Sequence, residues 1–201
     1  MSDAELSAVL HAALEGTDAF SHIVALAILT GQRRSEIASL RRSWRDKRER
    51  LITLPAQITK NGVEHTFPYG NLVEQILARR SNLIEGDLYF PPYRSHVRGV
   101  PTTTYAGWSK DKKAFEKRCG ISGWTLHDLR RSFATKLAQL GVLPHVVERL
   151  LNHRLGTIKT ETILTDVAEV YNLASYLPEM RQAITVWESK LAFLQQSSQA
   201  A

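Results

Sequence analysis

One cysteine in 201 residues, Cys119, has no partner in the chain, so an internal disulfide framework and a four-cysteine zinc site are both excluded. Long apolar runs are also missing. The longest, around Ile23 to Leu29, falls far short of the roughly 20 residues that cross a bilayer. No basic region followed by an apolar core opens the chain, so no export signal is legible and the reducing cytoplasm is the expected compartment. Neither a Walker A glycine loop nor an HExxH helix occurs, and the seven histidines are scattered without metal-ligand spacing. No metal site is therefore expected, because a metal-dependent nuclease needs several convergent carboxylates to hold its ions. The remainder, 43% hydrophobic and 23% charged, belongs to a globular chain and to neither a collagen-like nor a disordered one.

The charge balance is positive: 26 Lys and Arg against 20 acids, a formal +6. Much of the excess is local. Arg33, Arg34, Arg41, Arg42, Arg45, Lys47, Arg48 and Arg50 stand against only Glu36, Asp46 and Glu49. Such a run suits either contacts to a phosphate backbone or a solvated helix end and loop. Lys110, Lys112, Lys113, Lys117 and Arg118 form a second basic stretch, in a helical pattern that is equally compatible with a DNA-facing or a solubilising face.

Apolar spacing predicts a mainly α chain with a small antiparallel β-sheet. Ser2 and Glu5 are spaced as a capping box before Leu6, Val9, Leu10 and Leu14. A helix over Phe20 to Leu29 is broken by Thr30-Gly31, and a helical pattern resumes from Arg33 to Leu40. Gly31 lets the chain turn and thereby aims the side chains that follow it. The period then changes to that of strands, at Leu51 to Leu54 and His65 to Tyr69, around a Lys60-Asn61-Gly62 turn. Further helices are expected over Asn71 to Arg80, Ser109 to Cys119, Leu126 to Leu140, Pro144 to Leu151, Val167 to Tyr171 and Pro178 to Leu194. Loops are expected over Pro91 to Thr104 and Thr157 to Thr165, with Pro144 and Pro178 in helical first turns and a frayed tail over residues 195–201.

His127-Asp128-Leu129-Arg130-Arg131 is the strongest local clue. With residue 127 at 0°, the apolar positions Leu126, Leu129, Phe133 and Leu137 centre near about 240°, Arg130 lies at about 300° and Arg131 at about 40°. Arg130 thus sits at the edge of the buried face and Arg131 nearly opposite it. His127, one turn before Arg130, can address the same oxyanion; the ordinary alternative is a semi-buried arginine beside a surface histidine. Arg33 follows the Gly31 turn, with Glu36 three residues on to orient it as a bidentate phosphate ligand. Lys60 stands at the hairpin tip, either as a solvated turn lysine or as an ammonium brought to a leaving oxygen. His153 ends a short helix, as a further donor or a helix-end imidazole. Tyr171, with Tyr176 close behind, is either a packed structural tyrosine or a nucleophile.

Taken in order, TGQRRSE (30–36), ITKNG (58–62), WTLHDLRRSFAT (124–135), ERLLNH (148–153) and VAEVYN (167–172) resemble the catalytic domain of tyrosine recombinases of the phage integrase family. The resemblance covers nearly the whole chain, and YNLASYLPEMRQAITVW (171–187) looks like the ending of integrases from temperate phages and genomic islands. It implies the tyrosine recombinase catalytic-domain fold over residues 1–201, without the DNA-clamping and arm-binding domains that precede it in many members. By matching motif, Arg33 and Arg130 would clamp the phosphate, Lys60 would be the general acid, and His127 and His153 would be accompanying donors or proton-transfer groups. Tyr171 would be the nucleophile, with Tyr176 the alternative. Glu36 would support Arg33, and Asp128 would stabilise its helix. Arg34, Arg41, Arg42, Arg45, Lys47, Lys110, Lys113 and Arg131 would be candidates for the DNA backbone.

The implied activity is metal- and ATP-independent cleavage and rejoining of double-stranded DNA at attachment sites through a 3′-phosphotyrosyl bond, serving integration or excision of a prophage or genomic island. No cofactor is implied. The implied partners are DNA, three further protomers in a tetramer on it, and accessory DNA-bending proteins, in a bacterial cytoplasm and associated with the nucleoid. Weak DNA binding is expected of this chain by itself, because half of the family's DNA enclosure is not in it. Two features depart from the family pattern: Asn152 stands where many members have glycine, and the 18-residue step from His153 to Tyr171 is long. Topoisomerase-like resealing of single strands, or a catalytically idle DNA-binding regulator, are the competing activities.

Overall fold

Helix α1 (Asp3–Glu15) begins on the expected reciprocal cap: the Ser2 hydroxyl accepts from the Glu5 N–H at 3.2 Å, and the Glu5 carboxylate accepts from the Ser2 N–H at 2.8 Å. The computed structural model describes residues 1–92, 104–153 and 166–199, with side chains described outside 166–175 and 197–199. Helix α2 (Ala19–Thr30) is buried at every position from Phe20 onward, the mark of a helix that is apolar all round and surrounded by others. It packs against α1, α4 (Asn71–Leu83), α5 (Trp108–Cys119), α6 (Leu126–Gln139) and α8 (Asp166–Gln199). Gly31 ends it in the left-handed region, φ 67°, and short α3 (Arg34–Ala38) follows.

Three antiparallel strands follow in spatial order β1 (Arg45–Asp46), β2 (Leu51–Leu54), β3 (His65–Pro68). Register pairs Ile52 with Phe67 and Leu54 with His65, so these four side chains form the buried face of the hairpin. The sequence reading anticipated the β2–β3 hairpin but not β1, which is only two residues long and carries no hydrophobic alternation.

Long α8 closes the other side. Trp187, fully buried, donates its indole N–H to the Ile28 oxygen at 2.9 Å and meets the Phe133 ring edge-on, tying α8 to α2 and α6. Glu188 accepts from the first two N–H groups of α4, Asn71 and Leu72, at 3.0 and 3.1 Å, capping that helix from a distant part of the chain. One sequence expectation is corrected here. Pro178 does not start a helix: α8 runs through it, with the proline at an exposed position. The helical backbone of α8 extends to Gln199, and Gln195 donates to the Ser7 main-chain oxygen at 2.9 Å. Most of the loop expected over Pro91 to Thr104, and all of the one over Thr157 to Thr165, lie outside the described residues.

Candidate active site

Helix α6 starts on a second reciprocal cap, with Asp128 accepting from the Thr125 N–H and hydroxyl at 2.9 and 2.7 Å while the Thr125 hydroxyl accepts from the Asp128 N–H. Asp128 therefore serves the helix. From this start, the helical period carries Arg130 inward to 4% exposure and leaves Arg131 exposed, as the wheel predicts. The Arg130 guanidinium donates to two main-chain oxygens, Gly31 at 2.7 Å and Leu151 at 2.5 Å. It is thereby anchored both to the α2–α3 turn and to the end of α7 (Pro144–Leu150). Burial, and then repulsion from Arg33, push its pKa down to about 10, the signature of a cation held where an anion would be welcome.

Glu36 fixes Arg33 through both carboxylate oxygens: one accepts from the Arg33 main-chain N–H at 2.9 Å, the other from its guanidinium at 2.9 Å. Only 1% of the Glu36 side chain is exposed, against 22% for Arg33. The carboxylate is thus buried behind an arginine that opens onto a cleft of about 610 Å³, lined also by Lys60, Asn61, Glu148, Asn152 and His153. Lys60 is exposed at the hairpin tip. The Nδ1 of His153 lies 2.8 Å from the Glu148 carboxylate, which leaves Nε2 to address the cleft.

How α7 ends explains the asparagine at 152. Asn152 adopts φ 49°; its N–H bonds to the Arg149 oxygen at 3.0 Å, and the His153 N–H bonds to the Glu148 oxygen at 2.9 Å. This is a Schellman ending, in which glycine is commonest and asparagine the usual alternative. The carbonyls left over at the helix end are each taken by a side chain from another element. Leu150 accepts from Gln32 at 2.8 Å and from His65 Nε2 at 3.1 Å, Leu151 from Arg130, and Asn152 from Asn61 at 3.2 Å. His65 is buried, and burial followed by the charges of Arg130 and Arg33 lowers its pKa to about 3, keeping the ring neutral. Sequence reading missed both Gln32 and His65. The alternation of β3 does place His65 on the buried face with Phe67, and a histidine there was the available signal.

The other candidate residues are placed as follows. His127 is exposed in the first turn of α6, one turn before Arg130, and neither of the two is among the residues lining the cleft. Tyr171 lies in the second turn of α8, and its side chain is outside the described residues. Tyr176 is half-buried, its ring 4.0 Å from the Arg149 guanidinium carbon and edge-on to His145, which anchors α8 to α7. Of the backbone-contact candidates, Arg34, Lys47, Lys110, Lys113 and Arg131 are exposed, Arg34 lying over the Trp108 ring. Arg41, Arg42 and Arg45 are half-buried and bonded to other parts of the fold. Arg41 pairs with Asp87, Arg42 donates to the Ser81 and Ile84 oxygens, and Arg45, 2% exposed, is held by Tyr69, Tyr89 and Glu74. Partners distant in sequence hold all three, and bury the Arg45 side chain.

Known proteins are similar to this chain in sequence and in fold. The family model described as the phage integrase family matches residues 1–160, a span that holds Arg33, Lys60, His127, Arg130 and His153 and stops short of Tyr171. The chain is 34% identical over 152 residues to tyrosine recombinase XerD of Shewanella oneidensis, covering 71% of this chain and 47% of that protein. It is 29% identical over 113 residues to tyrosine recombinase XerD of Corynebacterium glutamicum, covering 54% and 36%. The chain thus spans less than half the length of the curated relatives it matches. Among solved structures, XerA recombinase superposes with a TM-score of 0.62 at 23% identity, covering 88% of this chain and 64% of that one. The integrase from mycobacterium phage Brujita gives 0.62 at 23% identity, covering 95% and 61%. The fold is shared with both, and the chain belongs to the phage integrase family, with the fold of the tyrosine recombinase catalytic domain.

Proposed function

We propose that this chain is the catalytic domain of a site-specific DNA recombinase that cuts and rejoins strands of double-stranded DNA through Tyr171. The observation that carries the reading is the pairing of Arg130 with Arg33. One guanidinium is buried and anchored to two carbonyls, the other is clamped by a buried carboxylate beside an open cleft, and no anion in the chain neutralises Arg130 directly among the described residues. Arg130 spends two of its five N–H donors on Gly31 and Leu151 and keeps others for phosphate oxygens.

In this scheme the Tyr171 hydroxyl attacks a backbone phosphorus, its proton passing to His127 or His153. The tyrosyl oxygen–phosphorus bond forms as the bond to the 5′ oxygen breaks, and Arg33 and Arg130 neutralise the nonbridging oxygens while charge builds. Lys60 protonates the departing 5′ oxygen, a task for which an ammonium is suited and a guanidinium is not. Attack by a 5′-hydroxyl from another strand reverses the steps. Because the phosphotyrosyl bond stores the energy of the original linkage, rejoining calls for neither ATP nor a metal ion. The corresponding partners are attachment-site DNA, three further protomers in a tetramer and accessory DNA-bending proteins, in the cytoplasm at the nucleoid of a bacterial host. Integration or excision of a mobile element is the matching role.

Incubation of the purified chain with nicked suicide duplexes carrying candidate attachment sites, in EDTA and without nucleotide, tests the reading. A covalent protein–DNA adduct from the wild type, lost in Arg130→Ala, is the expected result. DNA that is bound without any adduct would favour a regulator, and an adduct that reseals without ever exchanging strands between paired sites would favour a topoisomerase-like activity.

A further inference from the structure

Two asparagines 91 residues apart close on each other at the mouth of the cleft. Asn61 follows Lys60 in the β2–β3 turn, and Asn152 is the left-handed residue that ends α7. Asn61 Nδ2 donates to Asn152 Oδ1 at 2.9 Å and to its main-chain oxygen at 3.2 Å, while Asn152 Nδ2 returns a bond to Asn61 Oδ1 at 3.1 Å. The left-handed turn requires only glycine or asparagine, so the backbone does not account for the side-chain pair. The rest of the turn is tied to itself, with the Thr59 hydroxyl bonding to the Ala56 and Val63 oxygens and the Ile58 N–H to the Pro55 oxygen. Among the described residues, the hydrogen bonds that cross from residues 55–64 to another element run through Asn61.

We propose that the Asn61–Asn152 pair positions Lys60: it docks the hairpin tip on the end of α7, so that the Lys60 ammonium and the His153 imidazole meet one phosphate. The inference rests on the strand-cleavage reading above, with Lys60 as the proton donor. Asn61 and Asn152 are positioning residues, acting through the lysine beside one of them. An asparagine at 152 thus does something a glycine there cannot, which gives the departure from the family pattern a physical consequence.

Asn152→Gly keeps the left-handed turn and removes the amide, and Asn61→Ala removes it from the other side. Hydrogen–deuterium exchange on the full chain should show the amides of residues 58–63 exchanging about 10-fold faster in either variant, with α6 and the β2–β3 ladder unchanged. Unchanged exchange in the turn overturns the pair as a tie. Cleavage is then compared on two nicked duplexes, one with oxygen and one with sulfur at the 5′ bridging position. A thiolate leaves without being protonated, so the placement of the acid ceases to matter. Each variant should lose about 10-fold on the oxygen duplex and less than about twofold on the sulfur one, with the double variant no worse than either single. Equal losses on both duplexes overturn the assignment to the acid. If the wild type cleaves neither duplex, the strand-cleavage reading itself fails, while the exchange result still decides whether the pair holds the hairpin.

Discussion

The Arg130 guanidinium is bonded to the main-chain oxygen of Leu151, two residues before His153, so the buried arginine and the end of the helix that presents the histidine are one mechanical unit. Its second bond, to Gly31, adds the turn that aims Arg33. Three residues with one proposed task are thus held together through backbone carbonyls instead of through contacts with one another.

That arrangement demands a forked side chain. Lysine at position 130 offers a single ammonium, which cannot reach the Gly31 and Leu151 oxygens together and still face a phosphate. Arg130→Lys is expected to lower the rate of strand cleavage by at least about 100-fold. DNA affinity, read by salt titration, should change by less than about 10-fold, because many other cations contribute to it.

A buried cation with no carboxylate bonded to it among the described residues should respond to small anions. Inorganic sulfate, compared with chloride at matched ionic strength, is expected to raise the unfolding temperature along a saturating curve. At 100 times its Kd the gain would be about 2.7 kcal/mol. Arg130→Met should flatten the response. An equal response in that variant would place the anion elsewhere.

Gly31 is constrained twice over, by φ 67° and by its surroundings. A Cβ there would lie 2.5 Å from a Phe133 ring carbon and 2.8 Å from a Leu151 methyl. Gly31→Ala should destabilise the fold by about 2–4 kcal/mol, summing left-handed strain and overpacking. Gly120 shares the conformation, φ 71°, but a Cβ there meets nothing within 4 Å. Gly120→Ala should therefore cost only about 1–2 kcal/mol. Urea denaturation of both variants makes the comparison.

His65 gives stability a pH dependence of known sign. Its pKa is about 3 in the fold, against 6.5 for an unperturbed histidine. Well above pH 6.5 the ring is neutral in both states and contributes no pH dependence. As pH falls from 6.5 toward 3 the unfolded chain takes up a proton that the folded chain refuses, and stability declines. Between pH 7 and pH 5 the loss from this group is about 2 kcal/mol. His22, lowered to about 4 chiefly by burial, acts in the same direction. The stability of His65→Gln, followed by urea denaturation across this range, should fall less steeply than that of the wild type.

Periodicity made much of this legible in advance. The inward placement of Arg130 and outward placement of Arg131, the capping box at Ser2, the Gly31 break and the β2–β3 hairpin all depend on residues within a few positions of each other, and the structure shows each of them. What escaped depends on distant partners. The ties of Arg41 to Asp87, of Arg42 to the Ser81 and Ile84 oxygens and of Arg45 to Glu74 carry no local signal. The Asn61–Asn152 pair and the bonds of Gln32 and His65 to Leu150 join segments that share no local pattern. Pro178 misled for a local reason: proline suits a first helical turn far better than an interior, and only the length of α8 shows which it occupies here.

The proposed strand cleavage depends on Tyr171 as the nucleophile. Tyr171 and Tyr176 share α8, about 140° apart around it, and Tyr176 is already engaged with Arg149 and His145. Mass-spectrometric mapping of the DNA-linked peptide, from wild type, Tyr171→Phe and Tyr176→Phe incubated with a nicked suicide duplex, separates the two. An adduct on Tyr171 that disappears in Tyr171→Phe and persists in Tyr176→Phe is the expected result; an adduct on Tyr176, or one that survives Tyr171→Phe, would overturn Tyr171 as the nucleophile.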